Sequence, residues 1–377
     1  MVSTYEKYVA SADAENNDIV ARTPPARAWV SCVLLAVLGT LLALSTLRQL
    51  VFIHSYTPAP GLCPRPAVRQ EWRTLSSAQK SAYISGVQCL QRLPGISYLP
   101  GAKTRFDDFQ ALHVARTDEV HLLGQFLPWH RRMLGVYETA LREECGYPGA
   151  IPYWDWRRDV DAGVPLAQSP IFDPTYGFGG NGADVPGYAG QFGNLSHLAT
   201  AGWVPPESGG GCVLDGPFAA YNLSVGPGTQ LGSHCLQRAL NDALARGFVS
   251  STRVAAVMTQ RTFEAFRVEL EGGSVTAGMR IHDGGHNAIG GEMADSYSSP
   301  GDPLFYLHHA FLDKLWWEWE AQDLGTRLRD VSGRSTADPP YVDVTLDFEL
   351  GMLMLAPMVA IRDVMDIRND LLCYTYE

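Results

Sequence analysis

Residues 128–144 read PWHRRMLGVYETALREE, and this stretch predicts the best-defined helix of the chain. Pro128 lies in its first turn, where a backbone N–H has no helical partner, and apolar side chains recur at helical spacing. Gly146 follows just after its end, as is typical of a helix terminator. Because His130 lies inside this helix, the element that decides the fold also carries a possible metal ligand.

Other helical patterns surround this stretch, and the long segment 158–235 is irregular and rich in glycine and proline. We expect Cys212 and Cys235 to tie that segment down. From Tyr341 onward the alternating run VDVTLDFEL predicts a strand. The predicted fold is mainly α: a four-helix bundle with long loops and a few short strands. The further predicted helices cover residues 75–90, 106–114, 254–270, 282–286 and 302–322.

The composition excludes some classes of function. The chain has 377 residues, 46% of them hydrophobic, which is enough for one large core. Its net charge of −11 argues against a nucleic-acid partner, which requires a basic face. The charge says little about a small-molecule substrate.

The N-terminal part contains one long apolar run. Residues 28–47 read AWVSCVLLAVLGTLLALSTL, without a charge. A helix of this length spans roughly 30 Å, the hydrocarbon thickness of a bilayer. A buried core helix would show a polar face, and a cleaved signal peptide would have a shorter preceding region, so we favour a transmembrane signal anchor. The expected organisation is a cytosolic tail (1–27), the anchor (28–47), a stalk (48–62) and a folded domain (63–377).

The cysteines indicate where the folded domain resides. Six of the seven follow the apolar run, an even number that suits disulfide bonds in an oxidising compartment. Two glycosylation sequons begin at Asn194 and Asn222. We therefore expect a single-pass membrane protein of type II topology, with its folded domain in the secretory lumen or outside the cell.

The histidines fall into two groups that together could form a site for two metal ions. The first group is His113, His121 and His130; the second is His282, His286, His308 and His309. On a helix, His282 and His286 present their rings to one side. A single histidine among apolar residues is usually a hydrogen-bonded core residue. Clustering of six makes metal binding the better interpretation.

The type of ligand narrows the choice of metal. Imidazole suits copper, zinc, iron and nickel. A diiron bundle would bring glutamates and Glu-x-x-His motifs, and an H-E-x-x-H zinc protease motif is absent. Spacing alone leaves a copper pair and a zinc pair equally open.

Three motifs carry a resemblance to a known family. FLPWHRRMLGVYETALREECGYPGAIPYWDW (126–156) resembles the first copper motif of tyrosinases and catechol oxidases, and SSPGDPLFYLHHAFLDKLWWEWE (298–320) resembles the second. IHDGGHNAIGGEM (281–293) is similar to the segment with the first two ligands of the second copper. The resemblance spans roughly residues 63–335, and the ending LLCYTY is similar to small fungal members. It implies two copper ions, with O₂ as co-substrate, and the ligands His113, His121, His130, His282, His286 and His309.

The same resemblance suggests roles for residues near the ligands. Glu271 matches the glutamate that holds a water above the coppers, and Asp313 is expected to orient ligand rings or nearby backbone. Phe305 is expected to pack over ligand rings, and His308 to lie behind them. We interpret Glu271, together with Asp283, as the candidate catalytic residues.

Two departures from the family pattern matter. Asp283 follows His282, where many efficient tyrosinases carry asparagine, which puts hydroxylation of monophenols in doubt. Glu119 stands where many fungal and plant relatives have a cysteine linked to a ligand histidine, so that thioether cannot form here.

Gly284 and Gly285 weaken the helix between two ligands and would let another group approach closely.

The sequence therefore predicts a copper oxidase that converts o-diphenols, and conceivably monophenols or tyrosyl groups, to o-quinones with O₂. The expected substrate is a small phenol or a tyrosine-containing peptide. The alternatives are a protein that binds O₂ without catalysis and a tethered scaffold with a type 3 copper site.

Overall fold

The computed structural model describes residue 61 and residues 63–188, 206–272 and 278–377. These residues form a mainly helical domain, which confirms the predicted helical class. The helices are α1 (Ser77–Leu90), α2 (Arg105–Val120), α3 (Phe126–Cys145), α4 (Arg157–Asp161), α5 (Asp242–Phe248), α6 (Ser251–Met258), α7 (Phe263–Glu271), α8 (Ile281–Ile289), α9 (Leu304–Ala321), α10 (Leu324–Arg327) and α11 (Arg362–Met365). Short 3-10 turns cover Trp72–Thr74, Leu166–Gln168, Pro170–Phe172, Gly291–Ala294, Ser299–Gly301 and Leu353–Leu355.

Short strands pair two by two around the helices. They are β1 (Ala67–Arg69), β2 (Gly182–Asp184), β3 (Gly210–Val213), β4 (Asn222–Val225), β5 (Leu231–Cys235), β6 (Glu349–Leu350), β7 (Val359–Ala360) and β8 (Tyr374–Tyr376). The pairs β2–β3, β4–β5 and β6–β7 are antiparallel. In contrast, β1 pairs in parallel with β8, with Ala67 opposite Tyr374. This last pair joins the two ends of the folded domain.

The helix predicted from PWHRRMLGVYETALREE is confirmed as α3. It ends at Gly146, whose positive φ of 64° lets the chain turn away in the left-handed region. Its buried face packs against α9, where Tyr137 stacks on Tyr306 with ring centroids 3.6 Å apart. In the bundle α2 contacts α3, α3 contacts α9, and α9 contacts α8. These four helices carry five of the six predicted ligands.

Capping side chains explain where two other helices begin. Ser76 and Gln79 form a reciprocal capping box at the start of α1, and Thr104 and Asp107 do the same for α2. The helix predicted around 106–114 is confirmed as α2, which is longer than predicted and runs to Val120. The predicted helix over 75–90 is confirmed with its first turn at Ser77.

The helix predicted over residues 254–270 is wrong as one element. The chain forms α6 and α7 instead, and the break has a local cause: Thr262 is extended and its hydroxyl accepts the N–H of Ala265, which starts a new helix. The helix predicted over 302–322 is confirmed as α9. Asp302 does accept the N–H of Leu304, but its carboxylate also pairs with buried Arg238.

The strand predicted in VDVTLDFEL is largely wrong. Within the described residues only Glu349–Leu350 of that run is a strand, paired with β7, and Asp343 forms an isolated bridge with Arg334. Around that bridge the N–H of Ser335 donates to the Val342 carbonyl and the N–H of Val344 to the Gly333 carbonyl, so the start of the run forms one short contact and not a continuous ladder.

Three disulfides link the six cysteines that follow the apolar run. The predicted pair Cys212–Cys235 is confirmed and ties β3 to β5 inside the irregular segment. Cys89–Cys145 joins the ends of α1 and α3. The third bridge, Cys63–Cys373, lies beside the β1–β8 pair. A disulfide thus holds the irregular segment, as expected.

The predicted transmembrane anchor at residues 28–47 lies outside the described residues. Among the helices that the structure does describe, none combines the length and the apolar character needed to cross a bilayer.

Candidate metal centre

The first histidine triad is assembled by α2, α3 and the turn between them. His113 lies on α2, His121 caps its C-terminal end, and His130 lies on α3. One nitrogen from each ring lies within 4.8 Å of the other two. The three residues that the sequence grouped are therefore brought together at one point.

The second triad is assembled by α8 and α9. His282 and His286 lie one turn apart on α8, and His309 comes from α9. Their candidate ligand nitrogens also lie within 4.8 Å of one another. His286 Nε2 and His309 Nε2 are 3.1 Å apart.

The two triads face each other. The rings of His130 and His309 stack across the gap with centroids 4.5 Å apart, and those of His121 and His282 with centroids 6.1 Å apart. The paired triads thus form a single centre with room for two neighbouring ions.

Hydrogen bonds at Nδ1 leave the other ring nitrogen free in most of these histidines. Nδ1 reaches a backbone carbonyl in four rings, at 2.7–2.9 Å, and in His282 it reaches the carboxylate of Asp283 at 3.1 Å. The four carbonyls belong to Tyr297 (for His113), Thr117 (for His121), Phe126 (for His130) and Met293 (for His286). This pattern fixes the tautomer with Nε2 unprotonated, as a metal ligand requires.

Burial supports the same protonation state. Desolvation lowers the pKa of all six ligand histidines, so the rings are neutral near neutral pH. Within the described residues, the Nε2 atoms of His113, His130 and His282 are buried without a hydrogen-bond partner. A buried nitrogen without a partner is costly, and a metal ion would remove that cost. The residues therefore fit two metal ions held by three imidazoles each.

Phe305 packs over ligand rings of both triads, as predicted. Its ring centroid lies 4.1 Å from that of His309 and 5.3 Å from that of His113. Because Phe305 is fully buried, it keeps water from one side of the centre.

His308 lies behind the second triad, also as predicted. Its Nδ1 accepts the indole N–H of Trp156 at 3.2 Å. The glycines of α8 explain how this ring approaches so closely: a Cβ on Gly285 would lie 2.2 Å from His308 Cε1, and one on Gly284 would lie 2.5 Å from Phe248 Cβ. Both glycines are needed for close packing, which offsets their weak helix propensity.

Glu271 lies beside the first triad and is fully buried at the end of α7. Its Oε1 accepts the N–H of Leu122 at 2.6 Å, and its Oε2 pairs with Arg267 at 2.8 Å. Burial raises the pKa of Glu271 to about 8, although Arg267 and the Leu122 N–H act in the opposite direction. Since Leu122 follows His121, Glu271 holds the turn that carries this ligand.

Asp283 lies at the outer side of the second triad with a partly exposed carboxylate beside His282. Glu119 points outward and forms an ion pair with Arg116, so no side chain at that position bonds to His121. Both departures from the family pattern therefore lie next to ligand histidines, and only Asp283 contacts one.

The predicted role of Asp313 in orienting ligand rings is wrong. Its carboxylate accepts hydrogen bonds from Arg131 and Tyr374 at 2.5 Å, from Tyr376 at 2.6 Å and from Arg69 at 3.3 Å. Burial would raise the pKa of Asp313, but the two arginines and two hydroxyls hold it below the ordinary value. Asp313 therefore fastens β1 and β8 to the bundle.

Sequence reasoning missed the backbone groups that orient two ligands. The Met293 carbonyl closes the motif 281–293 and the Tyr297 carbonyl directly precedes the motif 298–320, but neither motif indicates that a backbone group orients a ring. The pair Gly290-Gly291 was the available signal, since both adopt positive φ, of 69° and 51°, where the chain enters the turn that carries these carbonyls.

The arrangement defines a class, a helical protein with two all-histidine metal sites that share one centre. The tyrosinase family, described as the common central domain of tyrosinase, matches residues 103–322. The tyrosinase-like protein phomQ1 of Diaporthe leptostromiformis is 37% identical over 345 residues, covering 85% of this chain and 80% of that protein. The N-acetyl-6-hydroxytryptophan oxidase ivoB of Emericella nidulans is 35% identical, covering 82% and 92%.

A solved structure agrees with this assignment. A polyphenol oxidase variant from Thermothelomyces thermophila superposes with a TM-score of 0.72 at 34% identity, covering 83% of this chain and 89% of that one. The protein belongs to the tyrosinase family and is a copper oxidoreductase.

Proposed function

We propose that this protein uses O₂ to oxidise o-diphenols to o-quinones at two copper ions. His113, His121 and His130 would hold one ion, and His282, His286 and His309 the other. The observation that carries the proposal is the pair of facing triads, whose rings are neutral and mostly fixed through Nδ1. Six imidazoles without a carboxylate ligand suit copper, and the family membership decides against zinc.

The copper pair, when bound, would supply the two-electron redox chemistry and the activation of O₂. The chain supplies geometry and exclusion of water. Phe305 covers the buried side of both triads, and carbonyl acceptors hold the ligand rings in one orientation. Ligand rings held in this way would bind each ion without rearrangement of the protein.

Two carboxylates are proposed to handle the phenolic proton. Asp283 is partly exposed beside His282, where a substrate entering from solvent would meet it. Burial raises the pKa of Glu271 to about 8, so this side chain is largely protonated at neutral pH and its ionised form is a stronger base than an ordinary carboxylate. Its two oxygens already accept from Leu122 and Arg267, which supports a positioning role for the same side chain.

The proposed substrates are small phenols or tyrosine-containing peptides. The small phenols are supported by the relative named as an N-acetyl-6-hydroxytryptophan oxidase, whose name gives a hydroxylated aromatic substrate. The peptides are proposed from the likeness to small fungal members alone. Asp283 in place of asparagine favours catechols over monophenols, because an ionised carboxylate cannot donate a hydrogen bond.

The deciding experiment uses the full-length chain loaded with copper. Metal per chain, O₂ consumption and quinone formation are measured with a catechol and with a monophenol. We expect two copper ions and oxidation of the catechol, and replacement of His113 or His309 by asparagine should reduce the copper content and abolish oxidation. Reversible O₂ uptake without quinone would point to a carrier. Two metal ions that bind neither O₂ nor substrate would point to a scaffold.

We further propose that residues 28–47 anchor the protein in a membrane, with the 63–377 domain on the lumenal or outer side. The three disulfides support an oxidising compartment. Asn222 is exposed at the start of β4, which fits its sequon being glycosylated. Resistance to carbonate extraction from membranes, together with a mass shift after endoglycosidase treatment, would support both points; release by carbonate would contradict the anchor.

A further inference from the structure

One short segment supplies backbone acceptors to both triads. In residues 291–298, which we name the acceptor segment, the Met293 carbonyl accepts from His286 Nδ1 and the Tyr297 carbonyl accepts from His113 Nδ1, each at 2.7 Å. His286 belongs to one metal site and His113 to the other. Any displacement of this segment therefore disturbs one ligand ring in each site.

Glu292 lies within this segment and fastens it to α2. Its side chain is 2% exposed, and its Oε1 accepts from Gln110 Nε2 at 3.0 Å. The same amide group reaches the carbonyl of Ser298 at 2.9 Å. Since Gln110 lies one turn before His113 on α2, both ends of the acceptor segment are tied to the helix that carries a ligand.

The second oxygen of Glu292 connects the segment to the β4–β5 hairpin. His234 Nε2 lies 3.2 Å from Glu292 Oε2, and His234 precedes Cys235 of the disulfide with Cys212. The hydrogen bond to Glu292 raises the pKa of His234, and burial raises the pKa of Glu292. The contact is an ion pair when His234 is protonated, and within the described residues it is the one such pair of this buried carboxylate.

The residues around Glu292 are closely packed. A Cβ on Gly301 would lie 2.4 Å from Gln110 Nε2 and 2.8 Å from Glu292 Oε1. A Cβ on Gly291 would lie 2.1 Å from the carbonyl oxygen of Gln237. Such close packing leaves the Glu292 carboxylate and the Gln110 amide little room to move.

We propose that Glu292 is a positioning residue that orients one histidine in each metal site, acting through Gln110 and His234. A buried ion pair contributes little net stability, and its best attested use is to select one arrangement of the chain. Here the arrangement selected is the one that aims His113 and His286 at the two ions. The copper measurement of this inference rests on the proposed function, because it needs bound copper. The measurement on the histidine rings does not, because it uses the metal-free protein.

The test replaces Glu292 by alanine in the full-length chain. Copper affinity, measured by competition with a chelator, should fall about 10–100-fold for both ions, the range typical when outer partners of ligand histidines are mutated. In the metal-free protein, the Nδ1–H resonances of His113 and His286 in ¹⁵N-histidine spectra should broaden or exchange faster. Glu292→Gln keeps an acceptor for Gln110 and should restore both properties.

Glu138→Ala is the matched control. Glu138 is 1% exposed and pairs with Arg69 and Arg142, yet it holds no carbonyl that orients a ligand. This variant should lose stability but keep copper and the two Nδ1–H resonances. If Glu292→Ala proves unstable, His234→Ala removes one contact from a partly exposed residue and should show the same effect in smaller measure.

Copper affinity within twofold of wild type, with unchanged Nδ1–H resonances, would overturn the inference. Weaker binding of only one of the two ions would also contradict it, because the segment serves both sites. A wild-type chain that binds no copper would refute the proposed function instead, and the metal-free resonances would still decide this inference.

Discussion

Replacing Gly285 by alanine tests whether the close approach of α8 and His308 sets the second metal site. The added Cβ would lie 2.2 Å from His308 Cε1 and 2.6 Å from its Nδ1, the atom that accepts from Trp156. Either the ring or the helix must move. Because α8 carries His282 and His286, and His309 adjoins His308, both movements displace copper ligands.

The expected loss of stability follows from three terms. Alanine gains about 1 kcal/mol in helix propensity over glycine. Overpacking costs about 1–3 kcal/mol. Leaving the buried indole N–H without an acceptor costs about another 1–3 kcal/mol. The net destabilisation is therefore about 1–5 kcal/mol, from the sum of the two costs less the gain.

The assay is denaturant unfolding of the metal-free chain combined with copper per chain after loading. Gly135→Ala is the matched control, since Gly135 is also within a helix and its Cβ would meet only the movable Leu372 Cδ2, at 3.1 Å. We expect this control to be neutral or slightly stabilised with two copper ions. If Gly285→Ala matched it in both stability and copper content, the reasoning about close packing would be refuted.

Three further predictions concern stability and selectivity. Asp313→Asn should cost about 1.5–3 kcal/mol in denaturant unfolding because it removes the carboxylate that pairs with both buried Arg69 and buried Arg131, which then rely on Glu138 and Glu320. The depressed pKa of Asp313 means that its contribution is present above about pH 4, near the unfolded pKa, and is lost as the pH falls through the folded pKa. Asp283→Asn should raise the ratio of monophenol to catechol turnover roughly tenfold, equivalent to about 1.4 kcal/mol in activation free energy. Joint replacement of Cys89 and Cys145 by serine should cost about 4 kcal/mol, the closure entropy of the loop that the bridge closes, while copper per chain stays at two.

Each of these predictions has a control or an opposing outcome. Asp366→Asn breaks a partly exposed pair with Arg368 and should cost at most about 1 kcal/mol. An Asp313→Asn variant no less stable than that control would contradict the role of the buried network. An unchanged turnover ratio for Asp283→Asn would place substrate selection elsewhere. Copper loss in the Cys89/Cys145 variant would show that this bridge positions ligands.

The sequence grouped the six histidines that the structure brings together as two triads, because their signal is local. Five of the six lie on helices, and the spacing of four residues between His282 and His286 is visible in motif 281–293. Phe305 was predictable for the same reason, one turn before His309. The ends of α6 and α7 could not be predicted in this way. Apolar residues continue at helical spacing across the break between them, and the break is created by a single residue, the Thr262 cap.

The role of Asp313 could not be predicted because its partners are distant in the chain. Arg69 lies 244 residues before it, and Tyr374 lies 61 residues after it. A one-turn spacing from His309 suggested contact with ligand rings, but on α9 the carboxylate points to the other side, toward β1 and β8. The contacts of Glu292 could not be predicted because its partners, Gln110 and His234, come from separate elements.

The parallel pairing of β1 with β8 has a consequence for biosynthesis. Arg69 and Tyr376, which contact each other there, are 307 residues apart. At a synthesis rate of about 5–20 residues per second, the first strand waits roughly 15–60 s for its partner. Helices α2, α3, α8 and α9 can all be complete within that interval. A nascent chain stopped before Tyr374 would thus carry all six ligand histidines together with an exposed strand edge, a species that chaperones would have to shield until the last residues arrive.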